Sequence, residues 1–182
     1  MEKADTEKVH EYFEAIDEYV VKVIHNTCLK HSCIATLLLI FAAVDGLGKL
    51  THADSSAKPG ERFKFFIAKF GRIYERKKEK LWALRNSLTH NALNVEVFLS
   101  RTELGEDHHL REVEVPGEIY INTNVFYRDF CKTLNAEIHR IENDELAMNQ
   151  AAERLEWYYD DRGYSLDIPF TPPPPVKFIR TK

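Results

Sequence analysis

The sequence has few of the residues that mark specialised protein classes. Its three cysteines, at positions 28, 33 and 131, cannot form a closed disulfide set, and this odd count predicts reduced thiols in a cytoplasmic protein. Seven glycines and seven prolines are too few for a collagen-like or low-complexity chain. The most apolar run, residues 33–44, is shorter than the ~20 residues that span a bilayer. We therefore expect a buried core helix there and no association with a membrane.

The chain also lacks a strong excess of either charge. Its formal net charge of −4 argues against a uniformly basic protein that coats nucleic acid. The first twenty residues are acidic, which is not the pattern of a signal or transit peptide. Apolar residues make up 44 % of the chain, so 182 residues of this composition predict one globular domain.

Most of the chain has the periodicity of helices. Apolar residues recur every three or four positions, or on nearly all sides, in four segments: 6–30, 33–50, 61–74 and 81–92. A last long helix begins after Asn122 or Thr123, either of which can cap it. The pattern leaves open whether that helix breaks near Asn143–Asp144.

The apolar period changes to two after Ala92, which predicts strands. Residues 93–100 alternate like a half-buried strand, and residues 111–115 resemble a return strand. Pro116–Gly117 reads as a turn, and residues 119–121 as a short third strand.

These segments together predict a mainly α fold. We expect an up-and-down bundle of four to five helices, with a β-hairpin at about 93–121 inserted before the last long helix. One domain would cover residues 1–160, and a proline-rich extended tail would follow at 161–182.

Charge is concentrated in one segment. Residues 58–85 hold ten lysines and arginines against three acidic residues, a net charge of +7, so the rest of the chain carries −11. Such a segment can present an electropositive surface to RNA, with Lys77, Lys78 and Lys80 as candidate RNA-binding residues. A solvated helix face that acidic residues balance elsewhere is the structural alternative.

The helix at the end of this segment carries a polar arc. On a helical wheel Leu81, Leu84 and Leu88 share one side, which predicts how the helix is anchored. The opposite arc consists of Arg85, Asn86, Thr89 and His90. Trp82 falls within the arc, so we expect another surface to cover it, most simply the same helix of a second copy in a homodimer.

The residues of the arc can perform phosphate chemistry. A histidine can take or give a proton near neutral pH, an arginine can hold a phosphate through two hydrogen bonds, and an asparagine can orient either group. The sequence shows no carboxylate cluster of the kind that magnesium-dependent nucleases use, so we expect no metal. RNA carries its own nucleophile, the 2′-hydroxyl. The structural alternative places Arg85 in an ion pair and makes His90 a helix cap.

The six residues from Arg85 to His90, RNSLTH, resemble the Arg-polar-x-x-x-His motif of the HEPN superfamily. The surrounding LWALRNSLTHN, and the segments FAAVDGLGKL (41–50) and ERFKFFIAKF (61–70), also resemble stand-alone prokaryotic members of that superfamily. The likeness covers about residues 5–160.

The resemblance implies a homodimer in which both subunits contribute Arg and His to a composite site. Active members cleave RNA without a metal and leave a 2′,3′-cyclic phosphate and a 5′-hydroxyl, and some are toxins or defence effectors with an antitoxin or regulatory partner. By position, Arg85 would bind the phosphate, His90 would act as base or acid, and Asn86 would be the polar residue of the motif. Asp45 matches an acidic position near the site, and Thr89 would support it. The superfamily also has non-catalytic members that bind RNA, nucleotides or proteins, which is the alternative function.

The other histidines and cysteines are weaker candidates for a functional site. His25, Cys28 and His31 can be placed on one side of a helix, but no carboxylate or paired-cysteine spacing supports a metal site. His108 and His109 fall in the hairpin loop, where we expect both to be solvated.

Overall fold

The computed structural model describes residues 3–90, 97–100, 108–112 and 118–160, which form a bundle of six helices and a small sheet. Helix α1 is continuous over residues 3–31, through Lys3–Ile16, the π-helical turns Asp17–Val21 and Ile24–Cys28, and a last turn at Leu29–His31. The others are α2 (Cys33–Thr51), α3 (Pro59–Ala68), α4 (Arg72–His90), α5 (Thr123–Glu142) and α6 (Glu145–Asp160).

Side-chain caps explain three of the helix starts. Oγ of Ser32 accepts from a backbone N–H of the first turn of α2 at 3.1 Å. Oδ1 of Asn122 accepts from two N–H groups of α5 at 3.0 and 3.2 Å, and Oδ1 of Asp144 from two of α6 at 3.0 and 3.2 Å. Because Asp144 caps a new helix, the long helix that the pattern left open is broken there. The described residues therefore form six helices rather than four to five.

The boundary between α3 and α4 lies at Gly71, which differs from the predicted end of the third helix. The periodicity predicts a third helix through residue 74, but α3 ends at Ala68 and Arg72 already begins α4. Gly71 lies between them with φ of 133°, a backbone conformation that residues with a Cβ rarely adopt. This turn lets α4 fold back along α3.

Helix α2 lies at the centre of the bundle, in contact with α3, α4, α5 and α6. Its apolar side chains are largely buried, as its nearly uniform apolar sequence predicts. The helix is long and apolar enough to cross a membrane, but half of it is buried within the bundle, and a core helix meets the same criterion. α2 also approaches α3 closely, because a Cβ on Gly48 would lie 2.5 Å from the carbonyl oxygen of Arg62.

The expected β-hairpin is not confirmed. Strand β1 (Val97–Ser100) pairs in parallel with β2 (Ile119–Asn122), and an antiparallel bridge joins Glu112 to Ile119 on the other side of β2. All four residues of β2 are buried, and the short strand predicted at 119–121 pairs with β1 in a two-stranded sheet and with Glu112 through a single bridge. Residues 93–96, the turn at Pro116–Gly117 and the tail at 161–182 lie outside the described residues.

Candidate functional site

Helix α4 orients Arg85, Asn86 and Thr89 of the polar arc as the helical wheel predicts. Leu81, Leu84 and Leu88 are 0 %, 5 % and 3 % exposed and anchor the helix on the core. Arg85 and Asn86 are partly buried on the opposite side. The apolar positions thus fix the rotation of the helix, and the rotation places the arc at the surface.

Asp45 of the central helix holds the guanidinium of Arg85. Nε and Nη2 of Arg85 both donate to one carboxylate oxygen, Oδ2, at 2.9 and 2.6 Å. The two side chains are 24 % and 26 % exposed, so the pair lies at the edge of the core. The ion pair of the structural alternative is therefore present, yet the guanidinium remains accessible to a ligand.

Neighbours on α4 complete this environment. Nη1 of Arg85 donates to Oδ1 of Asn86 at 3.1 Å and lies 3.5 Å from Oγ1 of Thr89. The Thr89 hydroxyl also donates to the main-chain carbonyl of Arg85. The structure thus brings together four residues that the sequence singled out, and we call Asp45, Arg85, Asn86 and Thr89 the arginine cluster.

One oxygen of the arginine cluster has no partner within the described part of the chain. Oδ1 of Asp45 is buried and accepts no hydrogen bond from any residue that the structure describes. Burial raises the pKa of Asp45, an effect that the hydrogen bonds and charge of Arg85 and the charge of Arg62 only partly offset. The cluster is therefore not a closed ion pair, since a buried acceptor is left over.

Trp82 is covered in part by its own chain. Its ring lies 5.4 Å from the ring of Phe63, and a Cβ on Gly60 would approach it to 3.0 Å. The Arg85 guanidinium carbon lies 5.3 Å from the Trp82 ring, within cation–π range. The residue is partly buried rather than fully exposed, and its role in a dimer contact stays a prediction.

His90 is the last residue of α4, five positions after Arg85. Its side chain lies outside the described residues. The backbone alone places it on the same helix and beyond the arginine cluster.

The candidate RNA-binding lysines differ in their contacts. Nζ of Lys77 and Nζ of Lys80 lie 3.2 and 3.1 Å from Oε1 of Glu112, which therefore neutralises part of their charge. Lys78 is partly buried, and within the described ranges it pairs with no acid. Part of the basic segment is thus balanced by an acidic residue from elsewhere, as the alternative for a charge run predicts.

Comparison with known proteins gives no guide to the function of this site. No family model matches the chain, and neither a curated protein nor a solved structure matches it. The side chains that the structure describes contain no group of three or more His, Cys, Asp or Glu residues that could hold a metal ion. All three cysteines are free thiols.

Sequence reasoning missed a second polar cluster, formed by Tyr74, His109 and Asp129. The main-chain N–H of Asn122 donates to Nδ1 of His109 at 3.1 Å. A neutral His109 then carries its proton on Nε2, which lies 2.9 Å from Oη of Tyr74, and the tyrosine donates to Oδ2 of Asp129 at 2.7 Å. Burial and the nearby Asp129 raise the pKa of Tyr74. We call this group the tyrosine cluster.

The expectation that His109 is solvated is wrong. Its neighbour His108 is exposed, but His109 is 5 % exposed and packs its ring 5.5 Å from that of Tyr74. The partners lie 35 and 55 residues apart in the chain, so no local signal reveals the cluster. It ties the segment between α4 and α5 to the core.

Proposed function

We propose that this protein is a metal-independent endoribonuclease of the HEPN type that acts as a homodimer. The observation that carries the proposal is the arginine cluster. It holds a partly exposed guanidinium in a fixed orientation on the helix that ends at His90. A preoriented guanidinium stabilises charge that develops on a phosphate.

The reaction follows from the groups of the arc. The 2′-hydroxyl of the RNA loses its proton to one histidine and attacks the adjacent phosphorus. The bond to the 5′-oxygen breaks, and that oxygen takes a proton from a second acid. The products are a 2′,3′-cyclic phosphate and a 5′-hydroxyl. In the dimer the two copies of His90 supply base and acid, and Arg85 stabilises the phosphorane-like charge.

Asp45 and Asn86 position the arginine in this proposal. Both hydrogen-bond to it through separate nitrogens, which restricts its rotation. A toxin or defence effector that an antitoxin or other regulatory partner restrains is the biological setting that fits, with a cytoplasmic location.

The test is cleavage of labelled RNA by the full chain in the presence of EDTA. We expect His90→Ala to lower the cleavage rate by about 10²-fold or more, the usual contribution of a general acid or base. His139→Ala is the matched control, because His139 is an exposed histidine on another helix. Equal cleavage by wild type and His90→Ala, or a monomeric wild type in light scattering, contradicts the proposal.

The ion pair itself favours one alternative, a non-catalytic dimer that binds RNA, a nucleotide or a protein. Asp45 occupies two donors of Arg85 and cancels part of its charge, which weakens its action on a transition state. RNA binding that depends on Arg85, without cleavage at any enzyme concentration, would identify this alternative.

A further inference from the structure

A second positively charged feature lies beside the arginine cluster. It is a cavity of about 540 Å³ where the end of α2 meets α3 and α6, a volume within the range of small-ligand sites. Its charged lining residues are Lys49, Arg62, Arg154 and Glu153, three basic and one acidic. The lining therefore favours an anion.

Arg62 is the basic residue of the lining whose donors are available to a ligand. Its side chain is partly buried, yet among the described residues its guanidinium has neither a hydrogen-bond acceptor nor an acidic group within ion-pair distance. A guanidinium has five N–H donors, and none of those of Arg62 is buried without a partner, so they are open to a ligand in the cavity. An anion there can accept hydrogen bonds from them.

The packing of the helices fixes the position of Arg62. Helix α3 crosses α2 at Gly48, where a Cβ would lie 2.5 Å from the carbonyl oxygen of Arg62. Because the two backbones touch at this point, the side chain of Arg62 starts from a rigid position. The cavity is therefore preformed on its α3 side.

Arg154 offsets the partial negative charge at the end of α2, which would otherwise oppose anion binding in the cavity. The carbonyl groups at the end of a helix carry partial negative charge and repel anions. Nη1 of Arg154 donates to the carbonyl oxygens of Lys49 and Leu50 at 3.1 and 3.2 Å, and Nη2 donates to that of Ala53 at 3.1 Å. The end of α2 is thus neutralised next to the cavity.

The cavity and the arginine cluster share one face of α2. Asp45, which holds Arg85, and Lys49, which lines the cavity, are one helical turn apart, a rise of about 6 Å. Arg62 is close enough to Asp45 to lower its pKa electrostatically. A single extended strand can therefore contact both places.

We propose that this cavity is a second phosphate subsite, which binds the backbone phosphate of the nucleotide next to the one held at Arg85. Arg62 is its main ligand, and Lys49 and Arg154 add positive charge. The inference rests on the proposed function, because it takes RNA as the ligand of the Arg85 site. It assigns Arg62 to substrate binding and gives it no part in the chemical step.

The test measures binding without cleavage. A fluorescent single-stranded oligonucleotide with 2′-O-methyl riboses, which lack the nucleophile, is titrated with the full chain at several salt concentrations. We expect Arg62→Gln to bind about five- to tenfold more weakly, and the slope of log K against log salt to fall by about 0.7, the value of one lost phosphate contact. Lys132→Gln loses the same charge at an exposed position of α5, and we expect its affinity to stay within about twofold of wild type.

The outcomes separate this inference from the proposed function. Wild-type affinity in Arg62→Gln, or an equal loss in Lys132→Gln, overturns the subsite even if the wild type cleaves RNA. Arg62-dependent binding by a wild type that does not cleave unmodified RNA overturns the endoribonuclease and keeps the subsite. A free mononucleotide whose binding needs Arg62, while strand binding does not, shows a small-ligand pocket and contradicts the subsite. Unchanged thermal unfolding of Arg62→Gln verifies that the variant is folded.

Discussion

The arginine cluster and the tyrosine cluster are both built from residues far apart in the sequence, but they differ in closure. In the tyrosine cluster Tyr74 is 1 % and His109 5 % exposed, although the Asp129 side chain is 24 % exposed, and the hydrogen bonds run without a gap from Asn122 to Asp129. In the arginine cluster the ion pair is about a quarter exposed, and one carboxylate oxygen has no partner among the described residues. A closed network is suited to stability, whereas an open one is suited to binding.

Replacement of Arg85 should have the largest effect and should act on activity. Arg85→Lys keeps the charge but loses the planar fork that contacts a phosphate through two nitrogens. We expect the cleavage rate to fall by about 10²- to 10³-fold, as for the loss of a transition-state hydrogen-bond donor. The rate of cleavage of labelled RNA under single-turnover conditions measures it.

Arg76→Lys is the matched control, since Arg76 is an exposed arginine on the same helix. Its cleavage rate should equal that of the wild type. Full activity of Arg85→Lys would contradict the functional role of the arginine cluster, which would then be structural like the tyrosine cluster.

Replacement of Tyr74 should act on stability alone. Tyr74→Phe leaves Nε2 of His109 and Oδ2 of Asp129 without their shared partner. We expect the free energy of unfolding to fall by about 1–3 kcal/mol, the cost of one unsatisfied buried polar group, here Nε2 of His109. Chemical denaturation followed by circular dichroism measures this loss, and RNA cleavage should be unchanged.

Tyr19→Phe makes the same chemical change on a tyrosine that is 69 % exposed. It should leave the free energy of unfolding within about 0.5 kcal/mol of wild type. A Tyr74→Phe variant of normal stability but impaired cleavage would reverse the roles assigned to the two clusters.

Replacement of Asp45 should have the smallest effect on the free energy of unfolding, and that effect depends on pH. Because burial raises the pKa of Asp45 in the folded state, the folded protein binds that proton more tightly than the unfolded chain. This contribution to stability is present below the ordinary carboxyl pKa and is lost as the pH rises through the raised value. Wild type should therefore lose stability relative to Asp45→Asn as the pH increases from about 4 towards neutral, by less than about 1 kcal/mol.

Thermal unfolding across this pH range measures the difference. Asp17→Asn replaces an exposed aspartate of α1, and its thermal stability should vary with pH in parallel with that of the wild type. A wild type that gains stability over Asp45→Asn with rising pH would mean that Arg85 outweighs burial at Asp45, and that the arginine cluster is a closed ion pair after all.

The helices and the sheet differ in how far the sequence predicts them. Helical periodicity and the apolar run indicate α1 and α2 directly, because amphipathic and fully buried helices each leave a local pattern. The wheel of α4 likewise predicts the arc of Arg85 and Asn86. The sheet was predicted less well, since strand pairing is set by contacts distant in the chain and β2 takes partners on both sides.

By itself the sequence determined the helical class and most of the helices, though not the boundary at Gly71, and also the side of α4 that faces outward and the candidate residues of its arc. These depend on periodicity and on caps such as Asn122, which act within a few residues. Only the tertiary structure decided that Asp45 meets Arg85 across forty positions, and that His109 is buried against Tyr74. Such contacts require separate helices to pack at one register, here with α3 drawn against α2 at Gly48, and no local pattern encodes that distance.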